Sequence, residues 1–283
     1  RSIRLRLQIV ASIAMEDREP YILGTDEEEL KRLKTQHNVW RSETIKGWNL
    51  AKFKLGDVIL DLGSGPGYCT KELTEIVGPS GKVLGVDRSQ SFINHLKWEK
   101  DKNNLNIEPI LSTFDDLELD SESLDGIYCR WALAWIPNPK EILNKLKHFL
   151  KPGGKMVIHE YYFWTSHRTQ PEKPALKKAI GVALQSFKNS DSEIDVGKYL
   201  HEWFHELGMG IFNYRLMPKL ATPNTEIWEW PKTFYKSYFP RLIEMGLLTN
   251  EDVEFAFEDL KDLETLEYAT LWCPLMIEVI ATK

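Results

Sequence analysis

The pattern of apolar and polar residues alternates between two types from residue 56 to residue 164. Short runs rich in branched aliphatic residues, bounded by Gly, Asp and Ser, predict buried strands. They read DVILDLG (57–63), GKVLGVD (81–87), NIEPILS (106–112), LDGIYCRW (124–131) and GKMVIHEYYF (154–163). Helical patterns lie between most of them, at TKELTEIV (70–77), SQSFINHLKWEKDK (89–102) and NPKEILNKLKHFLK (138–151). Strands that alternate with helices predict βαβ crossovers, a parallel sheet and therefore an α/β fold.

The regions on either side of this alternation are predicted to be mostly helical. A helix is predicted over 25–51, where Thr25 or Asp26 caps the start and acidic residues precede basic ones. After Trp164, helices are predicted over 171–189, 195–209, 225–246 and 249–264, and strands over 211–221 and 272–283. We therefore expect a leader at 1–14 and a single domain at 15–283. Its parts are a helical cap (15–55), a core (56–164), helical inserts with the sixth strand (165–265) and a last strand (266–283).

Composition and charge exclude several classes of protein. The 283 residues are 42% hydrophobic and 28% charged, as in ordinary globular proteins, and the net charge of −6 argues against a general nucleic-acid binder. Cys69, Cys129 and Cys273 are too few and too far apart for a disulfide framework or a cysteine zinc site, which fits a cytoplasmic protein. The apolar stretch at 9–14 is too short to span a bilayer, and no other segment is long and apolar enough.

A glycine-rich turn follows the first predicted strand. Gly63, Gly65 and Gly67 allow positive φ angles and leave no Cβ in the way, so the backbone can approach a ligand closely. The helix that follows offers free backbone N–H groups. Asp87 ends the second strand about 20 residues later, where a carboxylate can accept hydrogen bonds from both hydroxyls of a ribose. Strand, turn, helix, strand and Asp together predict a nucleoside site.

Three nucleotide ligands compete for this turn. A triphosphate-binding loop needs Gly-Lys-Ser/Thr after four intervening residues, and no such segment is present. A dinucleotide turn would read G-x-G-x-x-G, but this one reads GSGPG (63–67). Asp61 also precedes the turn, and a carboxylate there attracts a positively charged ligand rather than a phosphate. The residues therefore favour a cationic nucleoside.

These features resemble class I S-adenosylmethionine (SAM) methyltransferases. DLGSGPG (61–67) matches the family's D-x-G-x-G-x-G, GVDRS (85–89) matches its acidic second strand, and LKPGG (150–154) matches a later turn. The resemblance covers residues 21–163. It implies a Rossmann-like fold with a seven-stranded, mostly parallel sheet, an antiparallel last strand, helices on both faces and helical lid inserts. It also implies methyl transfer from SAM to a small-molecule acceptor, with S-adenosylhomocysteine as the product.

The same resemblance implies which residues bind the cofactor. Asp61 would lie near the methionine ammonium, and Asp87 would hold the ribose. The remaining residues implied by these motifs are Gly63, Ser64, Gly65 and Gly67 in the turn, Arg88 and Phe92 beside the adenine, and Thr113, Phe114 and Asp115 after the third strand. Where the family often has Asp and a small residue, this chain has Thr113 and Phe114. Thr113 would bind the adenine amino group more weakly, and Asp115 or Asp116 is an alternative.

Within the superfamily, the chain is similar to bacterial small-molecule methyltransferases related to quinone biosynthesis. The segment YILGTDEEELKRLKTQHNVW (21–40) resembles their N-terminal motif. It implies that Tyr21, Gln36 and Trp40 close over the carboxylate end of the cofactor; alternatively, Trp40 only packs the first helix onto the sheet. Arg130 ends the fourth strand and is expected to contact the cofactor, an acidic substrate or a surface carboxylate.

General-base candidates lie in the second half of the fifth strand and just after it. His159, Glu160, Tyr161 and His167 lie where a substrate is expected, although packing within the sheet is the favoured interpretation for His159 and for Tyr161. Methyl transfer from an activated sulfonium needs mainly positioning, so a base is not required. Trp131 and Trp135 are expected to pack in the core or to border the methyl site.

The segment 165–265 is rich in Trp, Tyr and Phe, which predicts a lid over a medium-sized, partly apolar acceptor and leaves a homodimer open. His201 and His205 have H-E-x-x-H spacing, but no third ligand follows at the usual distance, so no metal is expected. Neither nucleic acid nor membrane is an expected partner. The alternatives are a SAM-binding protein without turnover, a nicotinamide-dependent oxidoreductase, and a methyltransferase for nucleic acid or protein.

Overall fold

The computed structural model describes residues 26–188 and 193–283. The predicted leader at 1–14 and the predicted cofactor residue Tyr21 lie outside the described residues. Among the helices in those two ranges, none has the length and apolar character needed to cross a membrane.

The first half of the described chain forms the strands and helices that the apolar pattern predicts. Their bounds are α1 (Asp26–Ala51), β1 (Val58–Leu62), α2 (Tyr68–Val77), β2 (Lys82–Asp87), α3 (Gln90–Asn103), β3 (Ile107–Leu111), β4 (Leu124–Arg130), α4 (Pro139–Phe149) and β5 (Leu150–Phe163). The Ser89 hydroxyl accepts a hydrogen bond from the Phe92 backbone N–H and caps α3. Helix α4 ends two residues before the predicted bound because Leu150 already pairs with Leu124 in the sheet.

The second half differs more from the prediction. Its elements are β6 (Arg168–Gln170), α5 (Pro174–Lys188), α6 (Leu200–Glu206), β7 (Gly210–Met217), β8 (Leu220–Ala221), α7 (Glu226–Glu244), α8 (Asn250–Glu264), β9 (Thr270–Trp272) and β10 (Leu275–Thr282). The helix predicted over 195–209 is a short 3₁₀ turn at Val196–Lys198 followed by α6. The strand predicted over 211–221 is split at Pro218, which has no N–H to donate to a ladder.

The central sheet has seven strands in the order β3-β2-β1-β4-β5-β10-β7. Strands β1 to β5 are parallel to one another, and β10 runs antiparallel to both β5 and β7. The strand order reverses between β1 and β4, and the carboxyl ends of these two strands are where an open parallel sheet binds its ligands. The predicted mostly parallel sheet with a reversed last strand is confirmed.

A second, three-stranded antiparallel sheet was not predicted. It joins β6, β9 and β8, and its Leu271 pairs with both Thr169 and Ala221. These strands have two or three residues each, which is too short for an alternating pattern to be visible in the sequence. The small sheet ties the helical inserts to the segment just before β10.

Side chains on the two faces of the central sheet enter different surroundings. On one face, α1 and α2 cover a core that contains Trp48, Leu73 and Tyr128. On the other face, Leu60 and Ile158 belong to a larger core that continues into the helical inserts. Because strand side chains alternate in direction, Asp61 of β1 and His159 of β5 share the face of Tyr128.

Candidate active site

The turn after β1 brings its backbone into a left-handed conformation at each of three glycines. The φ angles are 72° at Gly63, 53° at Gly65 and 92° at Gly67, which directly precedes α2. A Cβ on Gly63 would lie 2.7 Å from the Ala132 Cβ, so no larger residue fits there. A Cβ on Gly65 would meet no atom within 4 Å. The backbone of Gly65 therefore faces open space, which a ligand can enter.

Asp87 holds this turn through its carboxylate. One of its oxygens accepts a hydrogen bond of 2.9 Å from the Gly65 backbone N–H, and the other accepts one of 2.9 Å from the Ser89 N–H. Burial raises the pKa of Asp87, and these two donors oppose the rise. An ionised carboxylate accepts more than one hydrogen bond per oxygen, so Asp87 keeps capacity for ribose hydroxyls.

Asp61 is a buried carboxylate at the end of β1. It accepts a hydrogen bond of 2.6 Å from the Thr70 hydroxyl of α2 and is 2% exposed. Burial raises its pKa to about 6, while Thr70 and the nearby Arg130 guanidinium lower it. A carboxyl group that is desolvated to this extent is stabilised in its ionised form by a further cation.

A cavity opens at the carboxyl ends of β1 and β4. Its lining comes from α1, the end of β1, the glycine turn, the first turn of α2, α3, and the end of β4 with the residue after it: Leu33, Gln36, Asp61, Gly63, Ser64, Gly65, Pro66, Tyr68, Cys69, Phe92, Tyr128, Arg130 and Trp131. Seven residues predicted to bind the cofactor are among these: Gln36, Asp61, Gly63, Ser64, Gly65, Phe92 and Arg130. The structure therefore brings together the acidic residue, the turn and the basic residue that the sequence separates by up to about 70 positions.

The other predicted cofactor residues lie beside this lining or away from it. Gly67 and Asp87 support the glycine turn, and the Phe114 ring lies next to Gly63. Arg88 and Asp115 are exposed. Thr113 is exposed as well, and its hydroxyl is part of a local turn with Asp116, to whose carboxylate it donates at 2.7 Å.

Trp40 lies in a cluster of aromatic side chains next to the cavity. Trp40, Trp131, Trp230 and Tyr161 form this aromatic cluster, in which Trp131 stacks on Trp230 at 5.7 Å and on Tyr161 at 6.1 Å. Trp40 meets Trp131 and Trp230 edge-on and is 1% exposed, as the packing reading of Trp40 expects. Trp131 belongs both to the cluster and to the cavity lining, so it forms the boundary between them.

Helix α7 reaches the cofactor side through this cluster. The Trp230 indole N–H donates a hydrogen bond of 3.2 Å to the Gln36 side-chain oxygen, and Gln36 lines the cavity. The predicted lid therefore contacts the site through Trp230.

His159 and Glu160 point to opposite faces of β5. The His159 ring is buried, and its Nε2 lies 2.8 Å from the Glu278 carboxylate of β10. The Glu160 carboxylate is also buried and accepts a hydrogen bond of 2.8 Å from the Leu133 backbone N–H, while its other oxygen has no hydrogen-bond partner within the part of the chain that the structure describes. Burial raises the pKa of Glu160 to about 8. Neither residue is part of the cavity lining, so the predicted role of general base stays a prediction for both.

Tyr161 and His167 lie at different distances from the cavity. Tyr161 reaches it indirectly, through its stacking on Trp131. His167 joins the small sheet to α7: its Nδ1 lies 2.8 Å from the Trp272 carbonyl oxygen, and its Nε2 lies 2.6 Å from the Tyr235 hydroxyl. Burial lowers the pKa of His167 to about 4, which keeps the ring neutral.

Several cavity residues were missed in the sequence. Tyr68 and Cys69 directly follow the glycine turn, so the first helical turn after it was a signal for both. Leu33 precedes Gln36 by three residues on α1, and Tyr128 precedes Arg130 by two residues on β4. Each shares a face with a predicted residue, because three positions along a helix and two along a strand point in the same direction.

His201 and His205 lie far from this chemistry. Both are exposed on α6, and the His201 ring meets the Tyr214 ring edge-on at 5.1 Å. Within residues 26–188 and 193–283, no group of three or more His, Cys, Asp or Glu side chains is placed to hold a metal ion. Trp135 is 38% exposed and packs edge-on against Phe187 of α5.

Comparisons with known proteins agree with this geometry. A family model described as a methyltransferase domain matches residues 53–208. The chain is 30% identical over 200 residues to the demethylmenaquinone methyltransferase of Lactococcus lactis, a match that covers 64% of this chain and 75% of that enzyme. It is 33% identical over 143 residues to the Staphylococcus carnosus enzyme of the same name, where the match covers 50% of this chain and 55% of that enzyme.

Solved structures share the fold at lower sequence identity. The YcgJ protein of Bacillus subtilis is 15% identical, with a TM-score of 0.56 over 87% of this chain and 98% of that chain. The cyclopropane synthase MmaA2 of Mycobacterium tuberculosis is 13% identical, with a TM-score of 0.56 over 86% of this chain and 83% of that chain. At these identities, the likeness concerns the fold alone.

Proposed function

This chain belongs to the methyltransferase-domain family and is a SAM-dependent methyltransferase with a small-molecule acceptor, and from that premise we propose how its residues bind both partners. Asp61 and Arg130 hold the two charges of the amino-acid end of SAM, and Asp87 holds the ribose. The aromatic cluster holds a partly apolar, planar acceptor. The observation that carries the proposal is a single cavity lined by Asp61, Gly65 and Arg130.

The charges of the cavity fit a zwitterionic amino acid. The buried Asp61 carboxylate, with its pKa raised to about 6, gains stability from an ammonium group. Arg130 carries donors only and matches a carboxylate. The two side chains lie close enough for the Arg130 charge to lower the pKa of Asp61, so one ligand with both charges reaches both. The open space at Gly65 admits the chain that joins them.

The protein supplies positioning and exclusion of water. When bound, SAM provides a methyl group on a positively charged sulfur, which an acceptor atom attacks in line with the leaving sulfur. Trp131 belongs both to the cavity lining and to the aromatic cluster, so it borders both partners. Low polarity around the reacting atoms favours a reaction in which positive charge disappears from the sulfur. Orientation of the two partners accounts for most of the expected acceleration.

The four candidates for a general base differ in whether they contact the cavity. Tyr161 is the one of the four candidates whose ring contacts the cavity wall, through Trp131. Both ring nitrogens of His159 and of His167 have buried hydrogen-bond partners, and Glu160 lies outside the cavity lining. We therefore rank Tyr161 first as the group that contacts the acceptor.

The acceptor class follows from the aromatic cluster and from the relatives. Neighbouring rings of the aromatic cluster have their centres 5.1–6.1 Å apart, and its half-buried members Trp131 and Tyr161 suit packing against a planar ring. The Lactococcus lactis and Staphylococcus carnosus relatives are named for demethylmenaquinone. We propose a quinol-like aromatic acceptor.

A methyl-transfer assay tests the acceptor. The protein is incubated with SAM labelled in its methyl group and with demethylmenaquinol, a simple phenol or a small aliphatic amine. We expect label in the quinol and little in the amine. Label in the amine alone would contradict the acceptor class. Binding of S-adenosylhomocysteine without turnover on any of the three would favour a SAM-binding protein that does not transfer methyl groups.

Substitution of Asp87 tests the cofactor assignment. Asp87→Asn keeps the shape of the side chain but weakens the hydrogen bonds that it accepts from Gly65 and from ribose hydroxyls. We expect calorimetry to show S-adenosylhomocysteine binding about 10- to 100-fold more weakly. Asp101→Asn, on the exposed surface of α3, is the matched control and should bind as the wild type does. Equal affinity in Asp87→Asn would reject the ribose role.

A further inference from the structure

A chain of buried hydrogen bonds leads away from Arg130 into the sheet. The Arg130 Nη1 donates to the Thr44 hydroxyl of α1 at 2.9 Å, and that hydroxyl lies 3.2 Å from the Tyr128 hydroxyl. The Tyr128 hydroxyl lies 3.4 Å from His159 Nδ1, and His159 Nε2 lies 2.8 Å from the Glu278 carboxylate. These five residues link the cavity wall to β10 through α1, β4 and β5.

Ionic contacts hold Glu278, the last residue of this series of hydrogen bonds. Glu278 is fully buried and receives hydrogen bonds from Arg215 Nε at 2.7 Å and from Asn213 at 2.8 Å, both on β7. Arg215 and His159 lower the pKa of Glu278, so it is an ionised acceptor. Gly47 of α1 lies directly over the pair of His159 and Glu278, where a Cβ would be 3.0 Å from His159 Nε2. The pair is therefore sealed from solvent by the backbone of α1.

Chemistry then assigns a direction to every hydrogen bond. Because Glu278 only accepts, His159 Nε2 carries the proton, and burial lowers the pKa of His159, so Nδ1 is an acceptor. The Tyr128 hydroxyl therefore donates to Nδ1 and accepts from Thr44. Thr44 in turn accepts from Arg130, which has no acceptor atom. Arg130, Thr44, Tyr128 and His159 therefore each donate a hydrogen bond to the next residue, and the series ends at the Glu278 carboxylate.

Arg130 has a second contact that fixes its plane. Its Nη2 lies 3.4 Å from His37 Nδ1 of α1, and its guanidinium lies 4.8 Å from the centre of the Trp131 ring. Thr44 and His37 each occupy one N–H on the α1 side. Arg130 also lines the cavity, so a ligand there can reach a guanidinium whose α1 side is held by Thr44 and His37.

We infer that Thr44, Tyr128 and His159 are positioning residues that orient Arg130 towards the carboxylate of the amino-acid end of SAM. The inference rests on the proposed binding of that carboxylate by Arg130. In this inference, His159 orients Arg130 indirectly, through Tyr128 and Thr44, and does not act as a general base. It also makes the buried hydrogen-bond chain a determinant of selectivity for a cofactor that carries a carboxylate.

Calorimetry with two ligands tests this assignment without turnover. S-adenosylhomocysteine carries the carboxylate, and its decarboxylated analogue keeps the amine and the nucleoside. In Thr44→Val, we expect S-adenosylhomocysteine to bind about tenfold more weakly and the decarboxylated analogue to bind as in the wild type. Thr44→Ser restores the hydroxyl and should restore the affinity. Thr35→Val, at a half-buried position of α1 where the hydroxyl donates to the Lys31 carbonyl oxygen of the same helix, is the matched control and should leave both affinities unchanged.

Tyr128→Phe provides a second variant in case Thr44→Val does not fold. It keeps the ring that packs on Trp48 and removes only the hydroxyl, and we expect the same selective loss. Unchanged affinity for S-adenosylhomocysteine in both variants would overturn the inference. An equal loss for the two ligands would do so too, because it would indicate a general structural role. A wild-type protein that binds neither ligand would overturn the proposed function itself.

Discussion

Single carboxylates in this protein differ mainly in how burial is compensated. Asp61 and Asp87 both have raised pKa values, yet Asp87 receives two backbone N–H donors and Asp61 receives one hydroxyl donor. Asp61 is therefore the more strongly destabilised of the two in its ionised form and gains more from a cationic ligand. At the scale of the residue, this difference in compensation is consistent with Asp61 binding the ammonium and Asp87 binding the ribose.

Glu160 makes stability depend on pH. Its folded-state pKa of about 8 exceeds the unfolded value of about 4.3, so its contribution is complete below pH 4 and is lost as the pH rises through 8. We expect the free energy of unfolding to fall by about 1–2 kcal/mol between pH 6.5 and pH 8. In Glu160→Gln, which keeps an acceptor for the Leu133 N–H, this component should disappear. Urea denaturation at several pH values measures it.

The choice of pH range separates Glu160 from other titrating groups. His167, with a pKa lowered to about 4, costs stability only as the pH falls below about 6.5, and Asp61 titrates near 6. Glu254→Gln, exposed on α8, is the matched control and should keep the wild-type slope. The same slope in Glu160→Gln as in the wild type would show that Glu160 is not the titrating group.

At the scale of the element, the turn between β1 and α2 is shaped for close approach. Gly63 is confined by Ala132, whereas Gly65 faces the cavity. Asp87 of β2 links to this turn across the parallel pairing of β1 and β2. The turn therefore combines a fixed backbone with one open position.

Replacement of Gly65 should affect binding more than folding. Gly65→Ala places a Cβ in open space at a φ of 53°, so we expect a loss of about 1–2 kcal/mol in stability from the left-handed conformation alone. The added methyl group also enters the cavity, so affinity for S-adenosylhomocysteine should fall at least tenfold. Thermal unfolding and calorimetry measure the two effects separately.

Gly153 supplies the matched control for this experiment. It has a φ of 80°, a Cβ there would meet nothing within 4 Å, and it lies outside the cavity lining. Gly153→Ala should therefore cost a similar amount of stability and leave binding unchanged. A loss of affinity of the same size in both variants would mean that the Gly65 effect comes from backbone strain.

The whole molecule assembles the cavity from distant parts of the chain. Helix α1 contributes Leu33 and Gln36, and strand β4 contributes Tyr128 and Arg130 about 95 residues later. Helix α7 adds Trp230, which bonds to Gln36. A bound cofactor therefore joins α1 to the sheet and, through Gln36, to the helical inserts.

Hydrogen exchange should reveal this coupling. We expect bound S-adenosylhomocysteine to slow amide hydrogen exchange at least tenfold in α1 and in the turn at 63–67, for amides that exchange through local opening. Helix α8 contributes nothing to the cavity lining and serves as an internal control, with no change expected in its locally exchanging amides. An equal slowing in α1 and α8 would indicate only a global gain in stability, and no change in α1 would argue against its part in the site.

Local patterns determined most of the architecture. The strands and helices between residues 57 and 163 follow from apolar runs and turn residues that act over a few positions, and the glycine turn with Asp61 and Asp87 follows from spacing along βαβ units. The resemblance to a known family added the number of strands, the reversed last strand and the cofactor. The reversed last strand is confirmed by the antiparallel pairing of β10.

The tertiary structure decided which side chains meet. Strand register sets Arg130 beside His159, and the packing of α1 across the sheet brings Thr44 and His37 to Arg130. No local pattern reports these contacts, because they depend on pairings between residues up to about 90 positions apart. The small sheet escaped prediction for a related reason: strands of two or three residues are stabilised by their partners rather than by their own sequence.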